Sequence, residues 1–329
     1  MRLSTNLMQK LGINALLEQQ SKLNKTQLQL ASGRKILTPS DDPIAAARTI
    51  DLQEELRKQE QFQDNATVAT NRLSLEEATL ASTTDIVQRV RELAVQANNQ
   101  AILRPEDKTV IAHEVRQLLD ELVGLANTKD ANGEYLFAGL KSNTQPYPAS
   151  PSGSQPPYFQ YQGDANQRLL QIGPTRRLAD GDSGQRVFED IPTEGDYANA
   201  VGNKDNLFNI VYHFALALEG NPADDDTNTL NGVPENASDF LNSTLANLDH
   251  ALERITDVRA SVGARLHALD QQQQVNEQFA LEMKTTLSQT QDLDYAEAIS
   301  RFNLEQVALQ AAQQSYIKVQ GLSLFNYLR

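Results

Sequence analysis

From Ile44 to Arg104 the chain contains neither glycine nor proline, so nothing along that stretch interrupts a helix. Its core-type residues return every three or four positions: Phe62, Ala66, Ala69, Leu73, Glu76, Leu80, Thr83, Val87, Val90, Ala94 and Ala97. That is one face of a helix, and it predicts one long helix or two nearly collinear ones. Just before it, Pro39, Ser40, Asp41, Asp42 and Pro43 form a turn and a helix start. Ser or Asp can cap, Pro43 suits the first turn, and the carboxylates meet the positive end of the helix dipole.

Two more segments follow the same rule. One opens at Pro105 with Glu106 and Asp107 in its first turn and carries the stripe Ile111, Val115, Leu118, Leu122, Leu125. The other follows Ser238 and Asp239 with Leu241, Leu245, Leu248, Leu252, Ile255, Arg259, Val262, Leu266 and Leu269, and then Gln273, Asn276, Ala280, Met283 and Leu287. Segments of this kind pack side by side. The expected fold is mainly α, a long helical hairpin-like rod built from the N- and C-terminal halves over residues 44–140 and 237–290, with a short hairpin near 130–139.

The two ends repeat one grammar. Near the start Ile13, Leu16, Gln20, Leu23, Gln27 and Leu30 alternate steps of three and four, and near the finish Ile299, Phe302, Gln306, Leu309, Gln313, Tyr316 and Gln320 do the same. Each is a heptad seam in which every other layer is polar, and two such seams invite pairing. Replacing half the layers with Gln removes much of the burial that would offset roughly 1 to 2 kcal/mol of backbone entropy per residue. Residues 1–43 and 291–329 are therefore expected to be terminal assembly helices, disordered in the free monomer and ordered when neighbouring subunits bury them.

The middle differs in kind. Residues 141–236 hold 9 of the 16 glycines, 9 of the 12 prolines and 9 of the 19 aromatics. Short strand-like runs, Tyr158 to Tyr161 and Arg168 to Ile172, lie between turns, with one helix expected over Leu207 to Leu218. This reads as a small β-rich domain inserted between the halves of the rod.

Composition sharpens these readings. Tryptophan is absent, aromatics are 6% of residues and the first is Phe62, which suits slender helix packing better than a wide catalytic pocket. A net charge of -14 argues against a nucleic-acid partner, which needs a basic face. The charge is uneven: residues 1–40 carry six basic groups against Glu18 alone, while 141–236 carry 6 basic and 13 acidic groups. No run of about 18 apolar residues is present to span a membrane. The opening residues, broken by Arg2, Gln9 and Lys10, do not make a secretory signal. Without cysteine there are no disulfides or thiolate metal sites.

Catalytic signatures are missing as well. His113 and Glu114 open a zinc-protease pattern, but Gln117 stands where the second histidine is needed. Asp224, Asp225 and Asp226 lack the glycine and the distal glutamate of a calcium loop and read as a solvated turn. No enzyme, cofactor or metal is expected.

The stretch Leu30-Ala31-Ser32-Gly33-Arg34-Lys35, followed by Pro39-Ser40-Asp41-Asp42-Pro43-Ile44-Ala45-Ala46-Ala47-Arg48, resembles the N-terminal signature of the flagellin superfamily. So do Ala126-Asn127-Thr128 with Asp130, Asn132-Gly133, Tyr135-Leu136-Phe137-Ala138-Gly139, and the closing Gln320-Gly321-Leu322-Ser323-Leu324-Phe325. The Pro-Ser-Asp-Asp-Pro form is similar to that of the hook-associated members. The resemblance implies a structural junction subunit of the bacterial flagellum, set in a ring of its own copies between the first hook-associated protein and flagellin. It also implies export through the flagellar type III apparatus with a dedicated chaperone, an extracellular location, and an assembly role for Leu322, Leu324 and Phe325. A filament subunit is the nearest alternative, and a type III secreted adhesin or effector a more distant one. No motif accounts for residues 145–235.

Overall fold

A computed structural model describes residues 5–98, 105–148, 159–194, 204–219 and 237–327. Among them are seven helices: α1 (Thr5–Ser32), α2 (Pro43–Asn98), α3 (Pro105–Ala126), α4 (Gly184–Phe188), α5 (Leu207–Leu218), α6 (Ala237–Gln291) and α7 (Tyr295–Tyr327). Four short strands, β1 (Leu169–Gln171), β2 (Arg177–Ala179), β3 (Ile191–Pro192) and β4 (Lys204–Asp205), lie between α3 and α5. The chain divides into two compact units, one of residues 1–60 and 277–329 and the other of residues 61–276.

In the larger unit the α2 stripe is the core. All eleven predicted positions from Phe62 to Ala97 are buried, including the polar Glu76 and Thr83. Thr83 survives there because its hydroxyl donates to the Thr79 carbonyl one turn back. Within this unit α6 runs antiparallel to α2, since Arg91 pairs with Asp249 and, earlier on α2, Glu77 pairs with Arg259. The α6 stripe is buried at Leu241, Leu248, Ile255, Val262 and Leu269 and half-buried at Leu245, Leu252, Arg259 and Leu266. On α3 the covered face is turned slightly from expectation, with Leu119 and Ala126 buried and Leu118 and Leu125 half-buried.

Residues 159–219 belong to the same compact unit. The strands expected of the insert are present and short: β1 pairs antiparallel with β2 over three residues and β3 with β4 over two, and the rest of the described insert is turns and two helices. Strands this short cannot bury a face of their own, so the insert leans on helices instead. Asn65 on α2 donates to the Gln171 carbonyl, Arg254 on α6 donates to the Glu189 and Asp190 carbonyls, and α5 packs on α3. Tyr147, Phe188 and Phe208 stack with ring centroids 4.5 to 5.9 Å apart. Helix α5 matches its predicted limits, whereas Phe159 to Tyr161 form no strand and Tyr158 lies outside the described residues. The hairpin near 130–139 is a single bridge between Lys129 and Tyr135, turned at Gly133.

Candidate assembly site

In the smaller unit α1 and α7 lie against each other. They run antiparallel: a Cβ on Gly12 would meet the Tyr316 ring at 2.8 Å, while further along α1 the Gln29 Oε1 accepts from Arg301. Between those points the Lys22 ammonium is raised by its hydrogen bond to Glu18 and, more weakly, by the Glu305 charge on α7.

The pairing uses half of each predicted seam. Leu16, Leu23 and Leu30 are half-buried on α1, as are Phe302, Leu309 and Tyr316 on α7. Ile13, Gln20, Gln27, Ile299, Gln306 and Gln313 are exposed. The layers between the large residues come from positions one residue earlier: Gly12, Gln19 and Thr26 on α1, and Ala298, Glu305 and Ala312 on α7. Thr26 and Ala298 are fully covered, at 3% and 0% exposure. The 3-and-4 spacing is as expected, and its phase is shifted. Four of these six residues are small, and small side chains let two helices approach closely enough to bury anything at all. A search for hydrophobic and glutamine layers passes over glycine, threonine and alanine, yet their recurrence at Gly12 and Thr26, and at Ala298 and Ala312, carries the signal.

The two inter-helix turns of this unit are stitched to each other. Lys35 N donates to the Gln291 carbonyl at 2.8 Å, and Leu293 N donates to the Gly33 carbonyl at 3.0 Å. Gly33 ends α1 with φ +69°, a conformation glycine adopts without strain, and any Cβ there would stand 2.9 Å from the Tyr295 hydroxyl. Gln29, which sequence reasoning missed, is the central tie: it is 8% exposed, donates to the Lys35 carbonyl at 2.6 Å and accepts from Arg301.

The signature turn fastens this arrangement. Asp41 accepts from Lys25 Nζ at 2.7 Å and from the Leu37 and Thr38 amides. Those bonds, the lysine's first, lower its carboxyl to about 2. Asp42 caps α2 by accepting from the Ala45 amide at 3.0 Å, Pro43 is the first residue of α2, and Ser40 shares a hydrogen bond with Thr38. Pro39 completes the turn, so capping falls to Asp42 while Asp41 ties the turn back to α1.

A second set of apolar residues in the pair faces away from the partner helix. Leu11, Ile13, Leu17 and Leu28 on α1, and Ile299, Leu304, Val307 and Ile317 on α7, are each at least 44% exposed. The unused half of the predicted seams lies along this outer side, with Gln20 beside Ile13 and Leu17, and Gln306 beside Ile299. Helix α7 extends through residues 322–325, but the side chains of Leu322, Leu324 and Phe325 lie outside the described residues, as do residues 224–226. Among the described residues no cluster of side chains could hold a metal, and no helix is long and apolar enough to cross a membrane.

Comparison with known proteins covers both halves. Residues 3–142 match the bacterial flagellin N-terminal helical region and residues 245–328 match the C-terminal helical region. Flagellar hook-associated protein 3 of Escherichia coli is 31% identical over 99% of this chain and 99% of its own length. The protein of that name from Salmonella typhimurium is 30% identical over 100% of both. The crystal structure of the flagellar junction protein FlgL from Legionella pneumophila shares the fold at 21% identity, with a TM-score of 0.57 over 74% of this chain and 100% of that one.

Proposed function

The chain belongs to the flagellin family, among the hook-associated protein 3 members, and from that premise we propose that it joins the hook-associated zone of the bacterial flagellum to the flagellin filament. It is a structural part of the extracellular flagellum and belongs to no enzyme family. Its immediate neighbours are further copies of itself in a ring, the first hook-associated protein on one side and flagellin on the other. It reaches that place through the flagellar type III export apparatus, attended by an export chaperone.

One observation carries the mechanism. Each terminal helix carries apolar residues beyond the seam that pairing within the chain covers, Leu11, Ile13, Leu17 and Leu28 on α1 and Ile299, Leu304, Val307 and Ile317 on α7. The outer sides, with Ile13, Gln20 and Gln27 on α1 and Ile299, Gln306 and Gln313 on α7, are the faces left for neighbouring subunits. Leu322, Leu324 and Phe325 extend the α7 contribution. Aliphatic layers give cohesion and glutamine layers give register, because polar positions in a helical seam trade stability for alignment. An isolated α1–α7 pair buries too little to hold its helices, so residues 1–43 and 291–329 order on assembly. Residues 44–140 and 237–290 form the helical body, and 141–236 the outer insert.

The test is complementation of a deletion strain with Leu23→Asp or Leu309→Asp. Each variant keeps the residue 61–276 unit folded, yet the cells build hooks without filaments and shed flagellin into the medium. Wild-type motility in both strains contradicts the reading. A filament subunit would instead be the most abundant protein of purified flagella. An adhesin or effector would lose its function when residues 145–235 are deleted, whereas a junction subunit keeps most of it.

A further inference from the structure

The larger unit contains a cluster of charge, buried at Arg72, Glu76, Asp180 and Asp182 and reaching solvent at Arg186, that assembly through the termini does not use. Arg72 on α2 is 6% exposed and donates to Asp130 at 2.8 Å, to Glu134 at 3.5 Å and to the Tyr135 and Leu136 carbonyls. Arg168, just before β1, joins Glu134 at 2.9 Å to Asp180, which is 1% exposed. Asp182, 2% exposed, pairs with Arg186 of α4 at 3.0 Å and with Arg265 of α6. Next to them Glu76 on α2 is 0% exposed, and its Oε1 accepts the Asp182 amide at 3.1 Å.

The cluster thus has four guanidinium groups, Arg72, Arg168, Arg186 and Arg265, against five carboxyls, Glu76, Asp130, Glu134, Asp180 and Asp182. Glu77, next along α2, is matched separately by Arg259. One acid is in excess in a place where an unmatched charge is costly. Asp130, Glu134, Asp180 and Asp182 each touch at least one arginine. Glu76 forms no ion pair, and its Oε2 has no hydrogen-bond partner. That oxygen and the Arg72 Nε, which has no hydrogen bond but lies 3.8 Å from an Asp180 carboxylate oxygen, both face Gly181, 3.7 and 3.4 Å from where a Cβ would stand, with the Leu136 carbonyl oxygen 3.8 Å from the same point.

We propose that Glu76 carries the proton that balances this cluster, and that its ionisation loosens the grip of α2 and α6 on the Asp180–Ser183 loop and α4, making the insert's attachment a pH-sensitive clasp. Protonated, Glu76 leaves four acids facing four arginines, and the Asp182 amide still has its acceptor. Ionised, it sets a second carboxylate against Asp182, and the cheapest relief is to move the loop and admit water.

The direction of the proton equilibrium agrees. Burial, and then the Asp182 charge, push the Glu76 carboxyl up to about 8, against an opposing pull from Arg265. Its ordinary value is 4.5. Below that value the clasp has its full stability. As pH rises from 4.5 to about 8 the opened state gains by ionising while the closed state does not, so opening becomes easier, by up to tenfold per pH unit. Above about 8 both states are ionised and the dependence levels off.

Glu189, which follows α4, is a second acid, half-buried, and is raised to about 7 mainly by its loss of solvent beside Tyr147. The test must separate the two. Amide exchange of the full chain, corrected for the intrinsic rate at each pH, should show protection of residues 180–184 falling steadily from pH 6 to 8. Glu76→Gln, which keeps the acceptor for the Asp182 amide and removes the charge, should abolish that fall, and Glu189→Gln should leave it in place. Flat protection in the wild type overturns the proposal, and so does an equal fall in Glu76→Gln. Should Glu76→Gln not fold, infrared spectra of Glu189→Gln decide, because Glu189 in the wild type would give a protonated band of its own at pH 6.5. In that variant a carbonyl band of a buried protonated carboxyl at pH 6.5 that fades through pH 8 supports the clasp, and its absence at pH 6.5 overturns it.

Discussion

The α2 stripe from Phe62 to Ala97 and the α1 seam from Gly12 to Leu30 are written with the same spacing, yet they live in different surroundings. Every stripe position in the first is buried. In the second only Thr26 is, and Gln20 and Gln27 stay in solvent. The difference lies in coverage. Within its unit α2 is flanked by α6, by the turn at 129–135 and by the insert, whereas α1 has α7 on one side and open apolar residues on another. Spacing reports that a helix has a face; the number of neighbours decides whether that face is full.

The sharpest way to break this contrast is to truncate one leucine in each region. Leu80→Ala removes a side chain with 0% exposure and should cost about 2 to 5 kcal/mol in urea unfolding of the monomer. Leu23→Ala should leave the monomer's main transition within about 0.5 kcal/mol of wild type, because its contacts contribute only in the assembly. Equal losses would mean that the termini are as firmly folded as the core.

A smaller effect is expected at the closest approach of the two terminal helices. Gly12→Val places branched carbons where the Tyr316 ring already stands 2.8 Å from a single Cβ. Assembly should weaken, seen as a raised critical concentration, with no change in the unfolding of residues 61–276. An unchanged critical concentration would show that α1 and α7 do not pair in the assembled form as they do here.

The smallest effect concerns the signature turn. The Asp41 carboxyl is lowered from 3.8 to about 2, first by Lys25 and then by the turn amides. Its contribution is therefore complete above pH 3.8 and is lost as pH falls toward 2. Asp41→Asn should remove that part of the acid sensitivity of assembly and weaken assembly slightly at pH 7, by as much as wild type loses as its pH falls from 3.8 toward 2. A defect at pH 7 larger than that loss would assign Asp41 a contact with another subunit.

These two regions also mark where the sequence is legible. In α2 every fourth or third residue is apolar or small over many turns, so only one face can be the core, and even Glu76 and Thr83 fall on it by position. At the ends Leu16, Leu23, Leu30, Phe302, Leu309 and Tyr316 were found, but the layers between them were not. Glutamine and glycine give no transfer-energy signal, and the choice between Gln20 and Gln19, or Gln27 and Thr26, depends on how closely a partner approaches. The insert was legible in its helix, Leu207 to Leu218, and in the β1 run. Its tertiary ties are invisible in sequence because they join single side chains to groups far along the chain, as Asn65 joins the Gln171 carbonyl and Arg265 joins Asp182.

Whether the ends fold by assembling is decided by amide exchange along the whole chain, measured first on the monomer and then on assembled flagella. Residues 5–32 and 295–327 should exchange within seconds in the monomer, while residues 62–97 are protected, and the terminal segments should become protected on assembly. Terminal protection in the monomer equal to that of residues 62–97 would contradict folding by assembly.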